Sequence, residues 1–195
     1  YSLWSVACGR ENNFAIIGHY LKQNGTLPKN QMDYIGKMSK VMKNNAGILI
    51  SNNESLVKYS DMYLEAFQNC DIFADWEPWG NVYQPSQDEV RRICQKQSIW
   101  AFTFDIFHFV FYTPWTFALQ NKRILLISPF EESLTKQIPI RENIYGKDLF
   151  PGCTFELLKP PQTQGLENSR EFSIELHDFF TQLDQKHELY DIALV

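Results

Sequence analysis

The clearest strand-to-helix junction in the chain is Ile124-Leu125-Leu126-Ile127-Ser128-Pro129-Phe130-Glu131-Glu132-Ser133. Its opening run of β-prone apolar residues predicts a strand that is buried on both faces, as in a parallel sheet. Ser128, Pro129 and Glu131 suit the N-cap, N1 and N3 positions of a helix that follows. A buried strand leading directly into a helix is the repeating unit of α/β folds, so this stretch indicates the fold class.

The same alternation continues on both sides of this junction. Further apolar β-type runs occupy residues 2–7, 48–50, 71–73, 153–158 and 190–195. Helical spacing of apolar residues lies between most of them, with capping-box patterns at 51–54 and 86–89, whereas residues 98–112 fit a strand or a helix equally well. The pattern predicts a single Rossmann-like, three-layer α/β domain over residues 1–195, with a mainly parallel sheet of about six strands.

The two ends of the sequence lead to a further expectation. The chain opens with Tyr1 and closes on Tyr190-Asp191-Ile192-Ala193-Leu194-Val195, a predicted buried strand. Ligands of open parallel sheets bind just beyond the carboxyl ends of the strands. We therefore expect a fragment or truncated form that lacks part of its site.

Composition excludes several classes of protein. Of the 195 residues, 44% are hydrophobic and 15% aromatic, which is too apolar for a disordered chain. The net charge of −5 and the lack of a basic run argue against a nucleic-acid partner. No apolar stretch reaches the roughly 18–20 residues that cross a bilayer, so we expect no transmembrane segment. Four scattered cysteines without zinc or disulfide spacing favour a reducing, cytoplasmic location.

Two predicted strand-to-helix turns carry candidate binding residues. In the first, Gly9 allows close backbone approach, Arg10 can pair with phosphate, and Glu11 can bind a hard cation that carries phosphates. The same residues also fit an ordinary turn. The second turn, Ser128-Pro129-Phe130, offers a helix amino end to an anion, or is simply a well-capped helix. Arg141 lies further along and either reaches the anion or faces solvent.

Other candidates lie in the middle third of the chain. Trp76, Trp79 and Trp115 have flat faces that suit sugar rings, although such residues are commonly part of a core. Asp105 interrupts an apolar run, where a carboxylate needs a partner or a role. The chain lacks GxSxG, Walker-type and GxGxxG motifs, which argues against serine hydrolases, P-loop proteins and dinucleotide-binding enzymes.

Three blocks together resemble a known family. They are Leu3-Trp4-Ser5-Val6-Ala7-Cys8-Gly9-Arg10-Glu11, then Trp115-(x)3-Leu119-(x)2-Lys122-Arg123-Ile124-Leu125-Leu126-Ile127-Ser128-Pro129-Phe130, and Asp191-Ile192-Ala193-Leu194-Val195. The chain resembles the GT-D-type glycosyltransferases and their uncharacterised relatives in bacteria and large DNA viruses. In that family an acidic pair near the first strand is implicated in binding a divalent metal and a nucleotide-sugar diphosphate. Aligned on Glu11, the first acid of that pair falls at Gly9, and the family's glycine-rich loop after the last strand is absent.

The resemblance implies a glycosyltransferase that moves a sugar from a nucleotide-sugar donor to a hydroxyl of a glycan or glycoprotein, with Mn²⁺ or Mg²⁺ as a possible cofactor. Glu11 is then the metal or donor ligand or the catalytic base, and Asp105 is a second candidate base. The candidate donor-binding residues are Gly9, Arg10, Ser128, Pro129, Phe130 and Arg141. The candidate residues for stacking against a sugar are Trp76, Trp79 and Trp115. Two alternatives stay open: a non-catalytic α/β module that binds a glycan or protein through the loop around Trp76 and Trp79, and a hydrolase of phosphate or glycosidic bonds.

Overall fold

The computed structural model describes residues 3–5, 9–75, 84–101, 113–165 and 167–195. The chain divides into two compact units. The first comprises Tyr1–Phe104 and Thr163–Glu175, and the second comprises Asp105–Gln162 and Leu176–Val195.

The first unit contains a parallel sheet of three strands in the order β1-β2-β3. In chain order its elements are β1 (Leu3–Ser5), α1 (Gly9–Asn24), α2 (Lys29–Ala46), α3 (Asn53–Asn69), β2 (Ile72–Asp75), α4 (Gln84–Cys94) and β3 (Gln97–Trp100). The register pairs Trp4 with Phe73 and Ala74 with Ile99. All three strands therefore end at the same edge of the sheet.

The core of the first unit lies chiefly between α1 and α3. Phe14 and Leu56 are fully buried there, and Tyr59 packs edge-on against Phe172. The two helices approach closely because Gly18 presents no side chain to Leu56 and Ser60 of α3. The hydroxyl of Ser60 then donates to the backbone oxygen of Ala15 at 2.5 Å. This close packing holds the first turns of α1 against α3.

The second unit contains another parallel sheet of three strands, in the order β5-β4-β6. Its elements are a 3₁₀ turn (Trp115–Leu119), β4 (Arg123–Ile127), α5 (Glu131–Gln137), a 3₁₀ turn (Ile138–Ile140), α6 (Arg141–Tyr145), β5 (Thr154–Leu158), a 3₁₀ turn (His187–Leu189) and β6 (Ile192–Leu194). Helix α7 (Phe172–Asp184) begins in the first unit and continues in the second. Leu125, Ile127 and Leu158 form the core, with Phe179 and Leu183 of α7 packed against it.

The prediction of one Rossmann-like sheet of about six strands is wrong. The structure is an α/β fold with more helix than strand, and its strands belong to two small sheets. Apolar runs identify strands, but strand partners depend on backbone hydrogen bonds that periodicity does not specify. The predicted strand at 48–50 is also wrong, since these residues have no strand pairing. Instead, the backbone oxygen of Leu49 accepts from the amide of Phe172 at 3.3 Å, while Ile48 and Ile50 pack against the core.

Three predicted helix starts are also wrong. At 51–54 the cap is Asn52, whose side chain accepts from the amide of Ser55. At 86–89 the helix already begins at Gln84. After β4, helix α5 begins at Glu131, and Ser128 instead closes a local turn by accepting from the amide of Phe130 at 3.3 Å.

Candidate functional site at the start of helix α1

Helix α1 begins at Gly9, beyond the carboxyl end of strand β1. Ligands of open α/β sheets bind where parallel strands end, and a helix amino end supplies free backbone N–H groups and a positive dipole. Arg10 and Glu11 both lie in the first turn. Of the predicted binding residues, the structure therefore brings Gly9, Arg10 and Glu11 together.

Glu11 is a carboxylate in an apolar position. It is only 7% exposed, and it lies at helical spacing from Phe14, Ala15 and Gly18 on the buried face of α1. Among the described residues, its Oε2 atom has no hydrogen-bond partner. Leaving such a group unpaired costs roughly 1–3 kcal/mol, so its retention calls for an explanation beyond folding.

Burial also alters the acidity of Glu11. Removal from water raises the pKa of the carboxyl above its ordinary value of 4.5, against the opposing effects of a backbone hydrogen bond and the Arg10 charge. A carboxyl of this kind exchanges its proton closer to neutrality than an exposed glutamate. Enzymes shift the pKa of carboxyls that act as general acids or bases in this same direction.

Asn12 and two tyrosines of α3 complete the surroundings of Glu11. Asn12 is fully buried; its Oδ1 accepts from the Tyr63 hydroxyl at 2.8 Å, while its Nδ2 has no partner among the residues described. The Tyr59 hydroxyl donates to the backbone oxygen of Glu11 over a long 3.4 Å. Burial, followed by the charges of Tyr63 and Glu11, raises the pKa of Tyr59 well above 10.0, so this phenol remains a neutral donor.

Arg10 is partly buried beside the carboxyl end of α2. With the Asn45 carboxamide oriented so that its oxygen faces the guanidinium, that oxygen accepts from Nη1 of Arg10 at 2.8 Å. A neutral amide leaves the positive charge of the guanidinium uncompensated at this contact. Arg10 can therefore still attract an anion at the start of α1.

The other predicted phosphate-binding residues belong to the second unit. The side chain of Phe130 is 67% exposed beyond β4, next to Ser128 and Pro129. Arg141 pairs with Asp148 through two contacts of 2.8 and 3.0 Å and stacks over the ring of Phe155. Arg141 is therefore engaged in a structural ion pair. Glu11 belongs to the first unit and Ser128 to the second, so the prediction that they share one site stays a prediction.

The remaining predicted residues divide into two groups. Trp115 lies in a 3₁₀ turn of the second unit and is 38% exposed. Trp76, Trp79 and Asp105 lie outside the described residues. Their proposed roles in sugar stacking and catalysis stay predictions.

Sequence reasoning missed Asp75, at the carboxyl end of β2. Although buried, this carboxylate accepts from Gln87 and from Nε of Arg91, the latter at 2.6 Å. Both partners come from α4, so the contacts fasten that helix to the edge of the sheet. The signal in the sequence is an acidic residue directly after the apolar run Ile72-Phe73-Ala74.

The predicted metal site at Glu11 requires further oxygen ligands beside this carboxylate. Hard divalent cations take several oxygen ligands, usually with more than one carboxylate. Within the described ranges, no group of three or more His, Cys, Asp or Glu side chains could hold a metal ion. Mg²⁺ and Mn²⁺ can also be held by one or two carboxylates together with substrate phosphates and water, so the metal-binding role of Glu11 stays a prediction.

Comparison with known proteins supplies no relative. No protein-family model, curated protein or solved structure matches the chain. Among the helices that the structure describes, none combines the length and apolar character needed to cross a bilayer.

Proposed function

We propose that this chain is a glycosyltransferase domain that transfers a sugar from a nucleotide-sugar donor to a hydroxyl of a glycan or glycoprotein. The observation that carries the proposal is Glu11, a buried carboxyl at the start of α1 with a raised pKa and an oxygen that has no partner among the described residues. The resemblance to GT-D-type enzymes supplies the reaction class, and the residues around Glu11 supply the chemistry.

Glu11 acts as the general base in this proposal. Its ionised carboxylate takes the proton of the acceptor hydroxyl while the acceptor oxygen bonds to the anomeric carbon of the donor. The bond between that carbon and the diphosphate breaks, and the diphosphate leaves with the electron pair. A positioned base of this kind contributes roughly 10²–10⁴-fold to a rate.

Arg10 and the amino end of α1 stabilise the charge that develops on the diphosphate. The guanidinium supplies a formal positive charge, and the helix supplies free N–H groups and its dipole. Gly9 leaves room for the phosphates to approach the backbone. The turn at Ser128, Pro129 and Phe130 remains a proposed second donor contact, supported by the resemblance alone, and no step is assigned to a metal ion.

We further propose a cytoplasmic location and no nucleic-acid partner. The thiols of Cys70, Cys94 and Cys153 are all free, as is usual in a reducing compartment. The net charge of −5 supports the second part of this proposal.

The test combines donor binding with turnover. Calorimetry with UDP-, GDP- and TDP-sugars, with and without Mn²⁺, identifies the donor, and release of nucleoside diphosphate measures turnover. We expect Glu11→Gln to retain donor binding and to lose roughly 10²–10⁴-fold in turnover. Wild-type turnover should fall on the acid side as Glu11 becomes protonated, and Glu11→Gln should lack this limb.

Glu54→Gln is the matched control, because Glu54 also lies in the first turn of a helix but is exposed. It should behave as wild type. Absence of donor binding, or unchanged turnover in Glu11→Gln, would overturn the proposal. Binding of oligosaccharides without nucleotides would favour a binding module, and cleavage without transfer would favour a hydrolase.

A further inference from the structure

A second feature of the first unit is a groove of about 490 Å³ between the amino-terminal parts of α1, α2 and α4. This volume lies within the range of about 300–1,000 Å³ that is common for small-molecule sites. Its main polar and apolar lining residues are Asn13, Ile17, Asn30, Gln31, Tyr34 and Glu89. Glu11 does not line this groove: the Asn13 side chain bonds Tyr34 of α2, whereas the Glu11 charge acts on Tyr59 of α3.

The groove contains an unsatisfied polar group. Oε1 of Gln31 is shielded from solvent and has no partner within the described part of the chain. Across the groove, Nδ2 of Asn13 donates to the Tyr34 hydroxyl at 3.0 Å. Because Oε1 has no hydrogen bond to any described residue, rotation of the Gln31 carboxamide toward a bound donor adds one without breaking another of these contacts.

The charge of the groove selects the ligand. None of the described lining residues is Lys, Arg or His. Glu89 stays ionised because two hydrogen bonds from Arg92, at 2.5 and 2.7 Å, and the charge of Arg92 lower the pKa of this carboxyl. A phosphate or another anion would meet this carboxylate and no cationic side chain in the described lining, because Arg92 is engaged with Glu89 from outside it. The groove therefore favours an uncharged ligand.

The side chains then indicate the class of uncharged ligand. The carboxamides of Asn13, Asn30 and Gln31 each offer both donors and an acceptor, which matches hydroxyl groups that also donate and accept. Ile17 and the ring of Tyr34 supply apolar surface for the C–H face of a sugar ring. We propose that this groove binds a short segment of neutral glycan. Glycan binding here goes beyond the proposed transferase function, because the residues that line the groove do not include Glu11.

The test is direct binding without any nucleotide. Ligand-observed NMR and calorimetry with lactose, maltose, cellobiose and chitobiose provide the probes. We expect wild type to bind at least one of them. Gln31→Leu should weaken that binding roughly three- to tenfold, because it removes one hydrogen bond to the ligand. It should not lower the melting temperature, because Oε1 of Gln31 bonds none of the residues that the structure describes.

Gln68→Leu makes the same chemical change at an exposed position of α3 and should leave binding unchanged. Tyr34→Phe is a second variant that should weaken binding, because the hydroxyl of Tyr34 accepts from the Asn13 amide and so orients that side chain in the groove. Failure of all four disaccharides to bind, or equal binding by Gln31→Leu and wild type, would overturn the inference. Binding of a disaccharide that depends on Gln31, in a protein that binds no nucleotide-sugar, would keep this inference and remove the transferase proposal.

Discussion

Replacement of Gly18 by alanine tests the packing that positions Glu11. A Cβ atom at residue 18 would lie 2.6 Å from the backbone oxygen of Leu56 and 2.7 Å from Cβ of Ser60. Neither atom is the end of a flexible side chain, so the clash cannot be relieved by a change of rotamer. Helix α3 must therefore move away from α1.

The required displacement sets the magnitude. Ordinary contacts begin at 3.4 Å, so the 2.6 Å contact must lengthen by about 0.8 Å. Overpacking of this kind costs about 1–3 kcal/mol. Lengthening the Ser60–Ala15 hydrogen bond costs about 0.5–1.5 kcal/mol more, while the higher helix propensity of alanine returns about 1 kcal/mol. We expect the free energy of unfolding to fall by about 1–3 kcal/mol. Each kcal/mol lowers the melting temperature by roughly 2–4 °C.

Gly36→Ala is the matched control. Gly36 also lies within a helix, α2, but a Cβ atom there would have nothing within 4 Å. This variant should gain about 0.8–1 kcal/mol from helix propensity alone. Urea and thermal unfolding followed by circular dichroism measure both variants. If Gly18→Ala proves as stable as wild type, the close approach of α1 and α3 is not as described.

Three further predictions concern stability. Burial raises the pKa of Glu11 in the folded state, so the contribution of Glu11 to the free energy of unfolding is fully present below pH 4.5 and is lost as pH rises through the folded pKa. Urea titrations across pH should show this loss in wild type and not in Glu11→Gln. Hydrogen bonds from Arg123 lower the pKa of Asp191 to about 2, so its contribution is present above pH 3.8 and is lost as pH falls toward 2; Asp191→Asn should lack this acid dependence. Leu125→Ala, at a fully buried position of the second unit, should cost about 2–5 kcal/mol in urea unfolding.

The sequence predicts several elements well where one periodicity is dominant. Met32, Ile35, Met38 and Met42 recur at helical spacing, and all lie in α2. The run from Ile124 to Ile127 lies in β4, which is the central strand of its sheet. In both cases the local pattern and the buried surface agree, so propensity and tertiary packing favour the same structure.

Pairing of strands is the part that the sequence does not predict. The run Ile48-Leu49-Ile50 has the composition of a buried strand, yet it packs against the helical core. Short apolar segments gain the same burial from a helix face as from a sheet face, so composition does not distinguish the two. Composition also does not specify which strands hydrogen-bond to each other, so the sequence does not predict that the described strands divide between two sheets.

The candidate site was predictable in its position but not in its chemistry. Glu11 follows a predicted strand, and its spacing from Phe14, Ala15 and Gly18 could have indicated burial. That its Oε2 has no partner among the described residues depends on how the helices pack, which no local pattern contains. The groove beside Gln31 is even less accessible to sequence reasoning, because its walls come from three helices that are distant in sequence.

The packing of α1 and the acidity of Glu11 have a common physical origin. Ser60 and Gly18 hold α1 and α3 close together. Glu11 lies two turns before Gly18 on the same face of α1, so this close contact keeps water from its carboxyl. Desolvation is the main cause of the raised pKa, so any change that separates the helices admits water and returns the pKa toward 4.5. Apolar packing nearby thus maintains a carboxyl whose Oε2 has no partner among the described residues, as folds do where they hold strained or unsatisfied groups. A substitution at Gly18 that lowers the free energy of unfolding should therefore also lower the pKa of Glu11.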